Sequence, residues 1–240
     1  MEKAIPLKRN REVDVLIVNG ENAANGKGIN PDMADEFLAA GADAITLGDH
    51  SYDQRQIMPY LDKAERVIRP ANFAPGAPGK GWVTVQTGVG PITVINLIGR
   101  VFLNPSDCPF RMVDKILKLA PKNQPILVDM HAEATSEKMA MGWHLAGRVT
   151  AVVGTHTHVQ TSDARLLKDH TAYLTDLGMT GSKDSIIGCE RDAVMKRFLT
   201  GLPARFEPAD KNVSVEGALI TCDRSGKASD IETIRIQLDH

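Results

Sequence analysis

Short apolar runs, each closed by a small residue and then by polar side chains able to bind a ligand, recur along the chain. Residues 13–18 are almost continuously apolar, which predicts a buried parallel strand, and they run into Asn19-Gly20-Glu21-Asn22. Residues 44–47 repeat the pattern and end in Gly48-Asp49-His50. Residues 126–129 lead to Met130-His131, residues 150–153 lead to Gly154-Thr155-His156-Thr157-His158, and residues 171–174 lead to Thr175-Asp176. Helical spacing falls between these runs, over residues 31–40 (with Pro31 in the first turn), 57–64, 110–119, 133–145 and 191–199. Residues 82–86 and 92–97 flank Gly88 and Gly90 and predict a hairpin. Residues 215–222 and 231–236 predict a second, turning at Asp223–Gly226. Strand–helix alternation followed by extra β predicts an α/β fold of two mixed sheets covered by helices. No linker divides the chain, so one domain over residues 1–240 is expected.

Strand ends in open α/β sheets converge along one edge. There the pattern gathers two carboxylates, Glu21 and Asp49, one amide, Asn22, and four imidazoles, His50, His131, His156 and His158. His156 and His158 are two residues apart and would share a face in extended chain. A mixed nitrogen and oxygen donor set suits Fe, Mn, Zn or Co better than Ca or Mg. It also exceeds the four ligands one tetrahedral zinc needs, so two ions bridged by a carboxylate such as Glu21 are expected. A histidine left free of metal would protonate a leaving alkoxide.

Plainer roles compete. Glu21 and Asn22 suit a turn cap, Asp49 a turn, and His50 and His131 buried polar groups bonded to backbone. His144, His170 and His240 read as structural or exposed residues, and Glu133 and Glu137 as a solvated helix face.

The formal net charge is −2, which gives no basic field for duplex nucleic acid. Cys108, Cys189 and Cys222 are odd in number and form no CxxC pair. They predict core fillers in a reduced, cytoplasmic chain. No run approaches the roughly 18 apolar residues of a membrane span. Gly79-Lys80-Gly81 lacks P-loop spacing, no GxSxG elbow occurs, and His131-Ala132-Glu133 has no Pro-Cys-x-x-Cys partner. A nucleotide-triphosphate cradle, a serine hydrolase and a zinc deaminase are therefore rejected.

Six segments together carry a family resemblance: residues 19–24 (NGENAA), 46–50 (TLGDH), 128–138 (VDMHAEATSEK), 153–161 (VGTHTHVQT), 173–181 (YLTDLGMTG) and 200–207 (TGLPARFE). The chain resembles the YmdB-like branch of the calcineurin-like metallophosphoesterases from about Val13 to its end. The resemblance implies a four-layer α/β/β/α sandwich and a dinuclear phosphodiesterase site holding two divalent transition-metal ions, Fe or Mn first and Zn second. A small phosphodiester, above all a 2′,3′-cyclic nucleotide, is then the implied substrate, hydrolysed by a metal-bound hydroxide. By motif, Glu21 corresponds to the bridging carboxylate and Asn22 to a ligand or phosphate-orienting amide. His131 and His156 correspond to ligands of the second metal, His158 of the first, and His50 to the general acid. A homo-oligomer is expected.

Two departures accompany the resemblance. The family usually has Asn where this chain has Asp49. It also opens with a strand ending in Gly-Asp, whose aspartate binds the first metal, and nothing here matches it. Met1–Asn10 falls where the helix after that strand belongs, and Asp14 lies at the wrong end of its own strand. A chain lacking that first strand through truncation is the favoured expectation. The alternative is a non-catalytic binding protein with an impaired first metal site.

Overall fold

The computed structural model describes residues 13–168 and 170–238. Strand β1 (Ile17–Asn19) pairs in parallel with β2 (Ala44–Thr46), and β2 with β3 (Val67–Ile68). Helix α1 (Pro31–Ala40) joins β1 to β2, as residue type dictates at both ends. Asn30 Oδ1 accepts from the Met33 amide at 2.8 Å, Pro31 occupies the first turn, and Gly41 ends the helix at φ 120°. The short helix α2 (Ile57–Leu61) follows β2. Ile29, Ala34, Ile45, Leu47, Ile57 and Leu61 are buried together between these helices and the parallel trio.

The second sheet has six strands. β4 (Trp82–Thr87) and β5 (Gly90–Ile98) form the expected antiparallel hairpin. β6 (Ile126–His131), β7 (Ala151–Thr155) and β9 (Thr171–Leu174) extend β5 in parallel, and β8 (Arg165–Leu167) closes the edge antiparallel to β9. Helix α3 (Pro109–Leu119) buries Val113, Ile116 and Leu117, and helix α4 (Thr135–Leu145) buries Met141 and Leu145. Both helices pack on one face of this sheet over Ile95, Leu97, Val128, Met130 and Tyr173. Each such side chain contributes roughly 1.5–3 kcal/mol by leaving water.

The other face of the six-stranded sheet meets more β-structure. Val85 and Val94 pack against Ala44 and Ile68 of the parallel trio. Ala151, Ala172 and Leu174 pack against Ala228 and Ile231. The latter two lie on β12 (Ala228–Gln237), which pairs antiparallel with β11 (Val213–Cys222), and β11 pairs with β10 (Gly181–Ser182). The result is helix, sheet, sheet, helix. The second β-layer is in two pieces, and among the described residues no strand joins the parallel trio to the β10–β12 sheet. Helix α5 (Arg191–Thr200) completes the order of elements.

The structure departs from the pattern-based expectation in places. The strand expected over residues 13–18 is paired only at Ile17–Asn19, and the two-residue strands β3 and β10 are too short for a periodicity to announce. The helix expected at Met1–Asn10 lies outside the described residues. Cys108 and Cys189 are only half-buried and Cys222 is exposed, so none fills the core; each has a free thiol. Among the described residues no helix is long and apolar enough to cross a membrane.

Candidate metal centre

Register brings the ligand-type residues together. In the β6–β7 ladder His131 stands opposite Thr155, which places His131 one residue short of His156. The β1–β2 ladder ends with Asn19 opposite Thr46, so Glu21 and Asp49 leave neighbouring strand ends. Gly48 makes their approach sterically feasible: a Cβ there would stand 2.3 Å from His131 Nε2.

Asp49 Oδ1 lies 2.8 Å from His131 Nε2 and 3.2 Å from His156 Nδ1, and those two nitrogens are 3.1 Å apart. Three donors of two residue types thus face one point, with ligand atoms all within 4.8 Å of one another. Glu21 Oε1 is 3.7 Å from His131 Nε2 and accepts from the His50 amide at 2.5 Å. Glu21, Asp49 and His50 form a second group of the same compactness. On the far side His158 Nε2 lies 3.1 Å from Asn22 Oδ1.

Each imidazole is held at its other nitrogen, the usual arrangement for a metal-binding histidine. His131 Nδ1 is 2.9 Å from Thr155 Oγ1, which donates to Asp129 Oδ1 at 2.7 Å. Asp129 Oδ2 accepts from Thr46 Oγ1 at 2.6 Å and Asn19 Nδ2 at 3.0 Å, so one buried carboxylate ties β1, β2, β6 and β7 together. His156 Nε2 is 3.1 Å from Glu133 Oε2, and His158 Nδ1 is 3.0 Å from the Ile187 carbonyl. His50 Nδ1 is 2.9 Å from Asp53 Oδ2 at the mouth of the site, where the His50 ring is 30% exposed.

The electrostatics carry the mark of a cation site. Burial pushes the Glu21 carboxyl well above the usual carboxylate range, and its Oε2 is buried without a hydrogen-bond partner. Burial would also raise Asp49, but hydrogen bonds from His131 and His156 hold it well below that range. Burial lowers His131; for His156 burial is outweighed by Asp49 and Glu133, and its imidazole is raised. A buried carboxylate with a free oxygen, beside imidazoles and an amide, fits a divalent transition-metal ion in donor type.

All seven residues singled out by pattern, Glu21, Asn22, Asp49, His50, His131, His156 and His158, lie in this one region. The reason given for the two histidines of the His-Thr-His segment needs correction. His156 and His158 have φ of 101° and 62°, so the chain is not extended there and the strand alternation does not apply. The turn sends His156 to Asp49 and His158 to Asn22. The solvated-face reading fails for Glu137 and holds for Glu133 only in its exposure, since the Glu133 side chain is 48% exposed yet bonds to His156. Glu133 precedes α4 and meets His156, while Glu137 is buried and accepts from the Arg100 and Val101 amides. Asn22 does serve its turn as well, donating to the Gly26 carbonyl at 2.8 Å. Asp129 escaped notice, although its place two residues before His131 on a strand puts both on one face.

The family model for YmdB-like proteins matches residues 2–234. The chain belongs to the YmdB-like family. A Bacillus subtilis (strain 168) relative, named 2′,3′-cyclic-nucleotide 2′-phosphodiesterase, is 48% identical over 236 residues, covering 98% of this chain and 89% of its own. The crystal structure of a hypothetical protein from Thermus thermophilus matches with a TM-score of 0.91 at 40% identity, over 97% of this chain and 91% of that one. The crystal structure of a Mycoplasma pneumoniae protein described as a novel phosphatase matches with a TM-score of 0.91 at 30% identity, over 98% and 86%. These two structures share the fold described above.

Proposed function

We propose that this chain is a metal-dependent phosphodiesterase that hydrolyses a 2′,3′-cyclic nucleotide. The observation that carries the reading is the Asp49–His131–His156 cluster beside a buried Glu21 whose second oxygen has no partner. The name of the Bacillus subtilis relative supplies the substrate class.

Asp49, His131 and His156 would hold one ion, Asn22 and His158 the other, and Glu21 would reach both. Two divalent ions supply positive charge to the phosphate oxygens and acidify bound water. The chain's own residues supply the rest. Asp129, through Thr155, keeps the His131 ring turned toward Asp49. Asp53 orients the His50 ring at the rim. Water adds to phosphorus and sheds a proton to solvent, the bond from phosphorus to the ribose 2′ oxygen breaks, and His50 gives its proton to that oxygen and regains one from solvent. The product keeps its phosphate on the 3′ oxygen.

The deciding experiment is metal analysis of the purified chain together with hydrolysis of 2′,3′-cyclic AMP by wild type and His131→Ala. Metal in the wild type, with turnover that disappears in the variant, supports the reading. A metal-free wild type indistinguishable from the variant sinks it.

One observation favours a second reading. The Asn22–His158 side offers one imidazole and one amide beyond Glu21, fewer strong ligands than the Asp49–His131–His156 side. A chain that keeps one ion and binds a nucleotide without cleaving it would show one metal per chain and no turnover.

Three free thiols support a reduced, cytoplasmic setting. Phe198 and Leu199 at 77% exposure, with Leu202 close by, support self-association, which sedimentation would test.

A further inference from the structure

Lys138 and Asp176 belong to two of the family segments, yet neither reaches the ligand cluster and the proposed reaction gives neither a task. Both are fully buried, and Lys138 Nζ lies 2.7 Å from Asp176 Oδ2. A buried ion pair is a weak stabiliser compared with apolar residues of the same volume, so stability alone explains it poorly.

What the pair touches explains it better. Asp176 Oδ2 accepts from the Thr157 amide at 3.1 Å and from Thr157 Oγ1 at 2.6 Å. Lys138 Nζ donates to the same Thr157 Oγ1 at 3.2 Å. Thr157 is the residue between His156 and His158, and both histidines sit in the positive-φ region that side-chain-bearing residues avoid. Such a turn persists only where its surroundings overdetermine it.

The surroundings are arranged for that. Asp176 Oδ1 accepts from the Gly178 amide at 2.8 Å, which fixes the carboxylate. The Leu177 amide donates to the Gly154 carbonyl at 2.9 Å, locking the segment carrying Asp176 to the strand that leads into the turn. Gly154 must be glycine for this close approach, since a Cβ there would stand 1.7 Å from the Thr175 carbonyl oxygen and 2.8 Å from Lys138 Cδ.

We infer that Lys138 and Asp176 are positioning residues: through Thr157 they clamp the strained turn that aims His156 and His158 at two neighbouring ions. This rests on the metal reading proposed above. It predicts a coupling that a merely structural pair would lack, because loosening Thr157 would weaken metal binding without removing a ligand.

The test uses Asp176→Asn, Lys138→Met and the milder Thr157→Val on the full chain. Mn²⁺ affinity is read by chelator competition, and hydrogen exchange of the Thr157 amide is read in metal-free protein. Asp176→Asn and Lys138→Met should weaken Mn²⁺ about 10–100-fold, as loss of groups that orient metal ligands does. Thr157→Val, which keeps the buried pair and folds most readily, should weaken it about tenfold and speed exchange at residue 157. Should the charge variants fail to fold, Thr157→Val decides. Wild-type Mn²⁺ affinity in a folded Thr157→Val chain overturns the clamp and leaves the metal reading intact. A wild-type chain that takes up no Mn²⁺ overturns both.

Discussion

The two halves of the metal centre are built differently. On one side, His131 ends its strand, Asp49 and His156 follow within three residues of theirs, and Asp129 ties those strands together from beneath. On the other, Asn22 and His158 sit on loops and are held by turn contacts to Gly26 and Ile187. The first side is prepaid by core packing; the second depends on segments with little burial of their own. Sites on strands are held more precisely than sites on loops, so His131 is the best-fixed ligand, while the turn carrying His156 and His158 has a clamp of its own. The difference predicts that the strand-end side binds its ion more tightly and tolerates damage elsewhere better.

The largest effect should follow from breaking the better-built side directly. His131→Ala should lower turnover by more than about 100-fold, since loss of groups that merely orient a ligand costs 10–100-fold. Steady-state hydrolysis of 2′,3′-cyclic AMP measures this. Activity within tenfold of wild type would refute a ligand role for His131.

Asp129→Ala should come next, acting on stability as well as on metal. It leaves Asn19, Thr46 and Thr155 without their shared acceptor, at a cost of about 3 kcal/mol in urea unfolding. An unfolding midpoint unchanged from wild type would show that those strand ends do not depend on it.

His158→Ala should lower the metal content by one ion per chain while the ion at Asp49, His131 and His156 stays. Metal counting by emission spectroscopy checks it, and loss of both ions together would erase the proposed contrast between the halves.

Glu133→Gln is expected to be milder, about 3–10-fold in metal affinity, because this carboxylate is 48% exposed although it reaches His156 Nε2.

The smallest effect on metal should come from Glu216, whose carboxylate bonds to Met179, Lys183 and Arg235 and to none of the candidate ligands. Burial would raise Glu216, but Lys183 and the Met179 amide, with Arg235, hold its carboxyl below the ordinary 4.5. A carboxylate whose folded value is lowered contributes stability above its unfolded value and loses it as pH falls through the folded one. Wild type and Glu216→Gln should therefore differ most above pH 4.5 and converge below it, while metal affinity at neutral pH barely moves. Thermal unfolding across pH reads the first and chelator competition the second.

Local chemistry was enough to read much of this chain. Pro31 and Gly41 bracket a helix because one fits the first helical turn and the other accepts positive φ; the apolar runs at 126–131 and 151–155 are strands because both of their faces are buried. Those same runs mark where ligands must emerge, so the seven candidate ligand and acid residues were visible from pattern and motif, while Asp129 and the role of Glu133 were not. What pattern could not reach was long-range partnership. That Asp129 serves four strands, that Glu133 turns back to His156, that Glu137 is buried on the Arg100 amide, and that Lys138 reaches Asp176 under Thr157 all depend on register between strands far apart in sequence. A hydrogen bond across two sheets leaves no periodicity behind, and a backbone forced to positive φ by its neighbours looks in sequence like any other Thr-His-Thr-His. The sequence determined which side chains stand at the strand ends. The tertiary structure decided which of them meet, because only packing sets the distances.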